Sequence, residues 1–184
     1  MADVLFGDAP PSGKLPLTFP RSVNDLPPFD NYDMAGRTYR YMTAEPLYPF
    51  GFGLSYTRFD YRDLRLNAEH IAAGQTVGLE FVLMNVGATA GDEVAQIYLS
   101  DLEASATVPQ HKLVGFQRVS LQPGESRTLS FALTPGIMAL VDESGRERLE
   151  PGQFRVTIGG CSPGARGQAL GAPLPLSAVF TVGP

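Results

Sequence analysis

Residues 77–83, Val-Gly-Leu-Glu-Phe-Val-Leu, place an apolar side chain at every second position. In an extended strand these positions share one face; they are Val77, Leu79, Phe81 and Leu83. Residues 128–133 and 153–158 repeat the alternation, with Leu-Phe-Leu and Phe-Val-Ile on the apolar face. Each of the three segments therefore predicts a half-buried β-strand.

Four further strands are predicted, over 58–66, 93–100, 112–121 and 176–182. The apolar phase slips midway through 58–66 and through 112–121, which predicts a bulge or bend in each. Turn dipeptides separate the segments, as in Pro123-Gly124 and Pro151-Gly152. Helix is expected only as one turn within 135–142. About seven short strands with regular turns predict an all-β fold, an antiparallel two-sheet sandwich.

Residues 1–57 have no sustained periodicity, and Pro16 and Pro20 exclude a helix or a central strand around them. Apolar side chains are nevertheless frequent in this irregular segment: Leu5, Phe6, Leu17, Phe19, Phe29 and Tyr32. At its end, residues 48–57 read Tyr-Pro-Phe-Gly-Phe-Gly-Leu-Ser-Tyr-Thr. Glycine allows unusual backbone conformations and aromatic rings carry large apolar areas, so we expect an ordered connector pressed against a surface.

Composition excludes several classes of function. The sequence is 43% hydrophobic and 18% charged, which suits a folded core, and its net charge of −5 argues against a general nucleic-acid binder. No apolar run approaches the roughly 18 residues of a membrane span. A single cysteine, Cys161, excludes an internal disulfide. No signal peptide is visible, and the compartment does not follow from the sequence.

The sequence predicts no catalytic residue, no metal site and no cofactor. His70 and His111 lie outside any catalytic motif, and we expect Cys161 to have no basic neighbour that lowers its pKa. Asp92-Glu93 and Asp142-Glu143 are adjacent acids, which point to opposite faces of a strand or lie in a turn and so do not converge on one bond.

Sugar binding is also weakly supported, because the chain has no tryptophan. Four tyrosines could stack on a sugar ring, but interface packing accounts for them better: Tyr39, Tyr41, Tyr48 and Tyr56. Residues 37–41, Arg-Thr-Tyr-Arg-Tyr, form the best candidate for contact with a ligand or partner, since arginine and tyrosine are enriched at binding hot spots.

Several motifs in order resemble glycoside hydrolase family 3. Residues 7–20, Gly-Asp-Ala-Pro-Pro-Ser-Gly-Lys-Leu-Pro-Leu-Thr-Phe-Pro, resemble the end of the family's second domain. Residues 46–57 resemble its connector into a fibronectin type III-like carboxy-terminal domain. Residues 91–99, 112–116, 121–125 and 150–159 resemble the pattern of that last domain.

The resemblance implies three parts: an end of an α/β domain over 1–30, a connector strap over 31–57, and an immunoglobulin-like, fibronectin type III-like sandwich over 58–184. Family members are retaining β-glucosidases, β-xylosidases and relatives whose catalytic residues lie on earlier domains. No position here matches either catalytic motif. The implied function is a non-catalytic module that buttresses catalytic domains, on the same chain or a separate one.

Eight residues are expected to make interdomain or substrate-proximal contacts: Arg37, Tyr39, Arg40, Tyr41, Tyr48, Phe50, Phe52 and Tyr56. Two alternatives stay open, a fragment of a β-glucosidase or β-xylosidase whose catalytic residues lie elsewhere, and an autonomous carbohydrate-binding module. Because the first 57 residues carry apolar strips, we expect the isolated chain to form a homo-oligomer or to fold the strap back on its own sandwich.

Overall fold

Two β-sheets dominate the computed structural model, which describes residues 2–142 and 144–184. The ten strands are β1 (Phe59–Leu66), β2 (His70–Ile71), β3 (Val77–Asn85), β4 (Gly91–Asp101), β5 (Lys112–Leu121), β6 (Ser126–Leu133), β7 (Leu140–Val141), β8 (Glu147–Arg148), β9 (Gly152–Gly159) and β10 (Leu176–Val182). One sheet has the order β1-β3-β6, the other the order β2-β10-β9-β4-β5, and β7 and β8 form a small hairpin. The prediction of an all-β fold is confirmed.

Among the strands of the described residues, pairing is antiparallel except for the short strand β2, which pairs in parallel with β10. The register between β1 and β3 shifts between Arg62 and Arg65, where Asp63 has a φ of 56°. The register between β4 and β5 also shifts, and Val114 is the extra residue on β5. Both predicted irregularities are therefore β-bulges.

A single hydrophobic core lies between the two sheets. The alternating residues of β3 are all less than 2% exposed and face the inward residues of the other sheet. Its largest fully buried members include Phe81, Leu79, Phe154, Phe180 and Ile158. Close packing of this kind supplies most of the stability of a domain of this size.

The helices are short: α1 (Ala2–Phe6), α2 (Thr38–Tyr41), α3 (Pro135–Met138), α4 (Ala165–Ala169) and a 3₁₀ turn (Val23–Asp25). α3 is the predicted single turn. The others span five residues or fewer, which is too short to leave a helical periodicity in the sequence. No helix in the described part of the chain is long and apolar enough to cross a membrane.

Candidate functional site at the joint

The joint, residues 48–57, packs on the middle of β4 and on the loop after β9, so it is an ordered connector, as expected. Gly51 and Phe52 are buried. The amide of Ser162, in the loop after β9, donates to the carbonyl oxygen of Phe50 at 2.8 Å. On its other side the joint is held by Leu15, whose amide donates to the Phe52 carbonyl at 2.9 Å and whose carbonyl accepts from the Gly51 amide at 2.8 Å.

Gln96 on β4 is the polar centre of the joint and is only 3% exposed. Its Nε2 donates to the carbonyl oxygens of Gly51 at 3.0 Å and Gly160 at 2.8 Å. Its Oε1 accepts from the Tyr98 hydroxyl at 2.5 Å. One side-chain amide therefore ties the joint to β4 and to the loop after β9, and its donors and acceptor are all used.

Close backbone approach explains two glycines of the joint. Gly51 has a φ of +76°, and a Cβ there would lie 2.0 Å from Oε1 of Gln96. A Cβ on Gly53 would lie 2.1 Å from the carbonyl oxygen of Gly13. Any other residue would push Gln96 or the segment around Gly13 away from the joint.

Tyr39 on α2 anchors the preceding part of the N-terminal segment (residues 2–57). Its ring stacks on Phe50 with centroids 4.4 Å apart and meets the ring of Tyr98 edge-on at 5.8 Å. Its hydroxyl accepts from the amide of Leu113 on β5 at 3.3 Å. Next to it, the carbonyl of Arg40 accepts from the Gln110 amide at 2.7 Å. The N-terminal segment is thus folded back on the two-sheet region (residues 58–184).

Arg37 organises an exposed loop, here called the Phe29 loop (residues 28–36). Its Nε donates to the carbonyl of Asp33 at 2.9 Å, and its Nη2 donates to the carbonyl of Asn31. On this loop Phe29 is 98% exposed and Tyr32 is 89% exposed. The guanidinium therefore fixes the backbone of a loop that carries two exposed aromatic side chains.

The other candidate residues divide between internal packing and the surface. Tyr48 stacks on Phe52 at 6.1 Å, and Tyr41 is half-buried. Arg40 is exposed, with its guanidinium carbon 6.0 Å from the centroid of the Tyr39 ring. Tyr56 is 52% exposed, and its hydroxyl donates to the carbonyl of Val4. Contact of these residues with a substrate or another domain stays a prediction.

A buried ion pair, which the sequence did not suggest, lies beside the joint. Nζ of Lys14 is 2.8 Å from Oε1 of Glu93, and the Tyr61 hydroxyl donates to the same oxygen at 3.3 Å. Burial raises the pKa of Glu93, and the ammonium of Lys14 opposes that rise. The neighbouring Asp92 points the other way, to Arg118, which confirms that the two adjacent acids diverge.

Among the described residues, the remaining reactive side chains are held by local contacts. Ser100 donates its hydroxyl proton to the Gln110 carbonyl at 2.6 Å, so its oxygen, 2.9 Å from Nδ1 of His111, accepts from that ring. Burial raises the pKa of the Cys161 thiol to about 11. Lys14 lies near this thiol in the fold and lowers its pKa, but by less than burial raises it. The expectation that Cys161 has no basic neighbour to lower its pKa was therefore wrong.

The other predicted surface groups are simple to place. His70 is exposed at the start of β2, and Asp142 accepts hydrogen bonds from the amides of Ser144 and Arg146 in a tight turn. Glu143 lies outside the described residues. Within residues 2–142 and 144–184, no three His, Cys, Asp or Glu side chains group as metal ligands.

Two family descriptions match the chain. Residues 1–56 match the glycosyl hydrolase family 3 C-terminal domain, and residues 93–162 match the fibronectin type III-like domain. The joint lies at the end of the first match, and Glu93 is the first residue of the second. The two parts that the joint connects are therefore different modules of known multidomain proteins.

Individual relatives are similar along most of the chain. A periplasmic β-glucosidase of Salmonella typhimurium is 39% identical over 171 residues, which cover 86% of this chain and 22% of the relative. A putative β-xylosidase of Formosa agariphila is 36% identical, covering 86% of this chain and 21% of that protein. A crystal structure of a Listeria innocua β-glucosidase with glucose has a TM-score of 0.81 at 31% identity, covering 100% of this chain and 26% of that one. The chain thus spans about a fifth to a quarter of the length of its relatives.

Proposed function

Because the chain carries the carboxy-terminal modules of the glycosyl hydrolase family 3 enzymes, we propose that it acts as a non-catalytic buttress for the catalytic domains of such an enzyme. The whole protein is proposed to be a β-glucosidase or β-xylosidase, the activities named for its relatives. In this proposal the present chain supplies no catalytic residue, and substrate specificity lies in the other domains.

The observation that carries the proposal is the Phe29 loop. Phe29 is 98% and Tyr32 89% exposed, although both sit on a loop held by the hydrogen bonds of Arg37. Large exposed apolar side chains on an ordered loop are typical of a contact surface. The opposite side of the N-terminal segment is already docked on the two-sheet region, so the loop is free to face a catalytic domain.

We also propose the finer division of the chain: the end of an α/β domain over 1–30, a strap over 31–57, and an immunoglobulin-like, fibronectin type III-like β-sandwich over 58–184. The two sheets around one core, in the orders β1-β3-β6 and β2-β10-β9-β4-β5, support the last assignment. The exposed residues Arg40, Tyr48 and Tyr56 are proposed to contact the preceding domains together with the Phe29 loop.

A chimeric enzyme tests the buttress. In the β-glucosidase of Salmonella typhimurium, the segment that matches this chain would be replaced by the present 184 residues. We expect the chimera to hydrolyse nitrophenyl β-glucoside and to unfold at a higher temperature than the same enzyme truncated at the junction. A chimera that is as inactive and as unstable as the truncated enzyme would contradict the proposal.

The matched variant is the chimera with Phe29→Ser and Tyr32→Ser. If these side chains cover a neighbouring domain, the double substitution lowers the melting temperature of the chimera and leaves KM for the glucoside unchanged. A raised KM with an unchanged melting temperature would instead indicate that the loop lies beside the substrate.

A further inference from the structure

The Lys14–Glu93 ion pair differs from every other ion pair among the described residues. The side chains of Lys14 and Glu93 are 16% and 4% exposed. In each of the other five pairs, the arginine partner is at least 47% exposed. Lys14 belongs to the match to the family 3 domain and Glu93 to the match to the fibronectin-like domain. This buried pair therefore joins the two modules.

The pair closes one face of the joint. Lys14 is carried by a segment that packs directly on it, since the Leu15 amide bonds to Phe52 and the Gly13 carbonyl abuts Gly53. Glu93 is on β4, which lies beneath this segment. While the segment around Lys14 stays packed on the joint, which is called the closed state here, the carboxylate of Glu93 keeps its one counterion and is shielded from water.

We propose that Lys14 is a charge-dependent latch: its ammonium neutralises the buried carboxylate of Glu93, and this neutralisation holds the segment around Lys14 closed over the joint. A buried carboxylate without a counterion is strongly unfavourable, whereas a buried neutral pair is tolerated. Removing the ammonium alone should therefore open the segment, and removing both charges should close it again. The latch concerns the chain itself and does not depend on the proposed catalytic partner.

The latch has a defined pH dependence. The titratable groups facing Glu93 are Lys14 from the N-terminal segment, Tyr61 from β1 and Cys161 from the loop after β9. Burial raises the pKa of Glu93 in the closed state, so that state holds the proton more tightly than the open one. A chain without the ammonium is therefore most closed below the ordinary pKa of glutamate and opens as pH rises through the raised value, whereas Lys14 opposes the rise in pKa and so reduces this loss of closure in the wild-type chain. Burial also raises the pKa of Tyr61 and of Cys161, so both stay protonated at neutral pH.

Cys161 offers a direct readout, because it is the sole cysteine of the sequence and lies beside the pair. The rate of its labelling by 4,4′-dithiodipyridine, which also reacts at acid pH, reports opening of the joint. For Lys14→Met we expect labelling about tenfold faster than for the wild-type chain near pH 8, since an unpaired buried carboxylate is costly. Near pH 4, below the ordinary glutamate pKa of about 4.3, protonation of Glu93 should reduce that ratio several-fold.

Three variants serve as controls. Lys14→Met combined with Glu93→Gln has no buried charge, so its labelling should return to within about threefold of the wild type at every pH. Lys14→Arg keeps the charge and should also label slowly. Arg118→Met removes an exposed ion pair to Asp92 and a hydrogen bond to Ser12, and should change the rate less than twofold, as surface pairs contribute little.

Hydrogen exchange of core amides in β3 shows whether each variant keeps the two-sheet fold. With the core intact, equal labelling of Lys14→Met and wild type at both pH values would overturn the latch. So would a faster rate that is the same at both pH values and persists in the double variant, because lost packing rather than an unpaired charge would then be the cause.

Discussion

Replacement of Gln96 by leucine tests the joint most directly. The two side chains have similar size, so the substitution removes hydrogen bonds with little change in volume. It deletes the donors to the carbonyls of Gly51 and Gly160 and the acceptor for the Tyr98 hydroxyl. Since Gln96 is 3% exposed, water does not replace these partners without opening the joint.

The loss can be estimated from the three hydrogen bonds. Each contributes about 1 kcal/mol net, and a buried polar group left without a partner costs about 1–3 kcal/mol. Relaxation of the joint recovers part of this cost, so we expect Gln96→Leu to lower the free energy of unfolding by about 3–5 kcal/mol. Domains of this kind are stable by only about 5–15 kcal/mol.

Urea unfolding followed by circular dichroism measures the effect. With a slope of about 2 kcal/mol per molar urea, the midpoint should fall by about 1.5–2.5 M. The matched control is Gln117→Leu at an exposed position of β5, which should change the free energy of unfolding by less than about 0.5 kcal/mol. A midpoint for Gln96→Leu equal to that of Gln117→Leu would refute the role assigned to this amide.

Three further variants have expected outcomes in the same urea assay. Gly115→Val should lower the free energy of unfolding by about 1–3 kcal/mol, because a Cβ at that position would lie 2.4 Å from the ring of Phe131; an unchanged midpoint would contradict this close contact. Asp63→Gly should raise the free energy of unfolding by about 0.5 kcal/mol, since a φ of 56° strains a residue with a side chain. A lower free energy of unfolding would show that this strain is small. Phe29→Ser with Tyr32→Ser should change it by less than about 0.5 kcal/mol in the isolated chain; a larger loss would mean that the loop packs within the chain.

The strands were predictable because one face of each is buried and the other is not. β3 shows the alternation clearly, with Val77 and Phe81 inside and Glu80 outside. Where the alternation slips, the register slips too: the phase change in 58–66 corresponds to the bulge at Asp63, and that in 112–121 to the bulge at Val114. Local pattern was sufficient because a bulge changes which residues face inward.

The polar contacts of the joint were not predictable, because they join residues far apart in sequence. Gln96 bonds to Gly51 across 45 positions, and Lys14 meets Glu93 across a longer separation. Alternation along β4 places Glu93 on the same face as Ala95 and Asp92 on the opposite face, where Arg118 pairs with it at the surface. No local pattern indicates that Lys14 is the partner of Glu93.

β4 keeps an alternating sequence although both of its faces are buried. Its core face is formed by Ala95, Ile97 and Leu99, and the residues of its outer face, Gln96, Tyr98 and Ser100, are buried as well. A strand buried on both faces often reads as a continuous apolar run, but the outer face of β4 carries polar side chains. The second layer over this face was therefore not indicated by the sequence of β4, and the N-terminal segment is that layer.

The composition of the joint follows from the nature of this second layer. An irregular segment brings backbone carbonyls that no strand partner satisfies, so the covered face of β4 needs side chains that can donate, and Gln96 supplies two such donors. Glycine at position 51 lets the backbone approach that amide, and the ring of Phe50, stacked on Tyr39, provides the apolar area. Residue 57 is therefore a boundary in sequence pattern but not in packing, because the outer face of β4 is completed only by the joint.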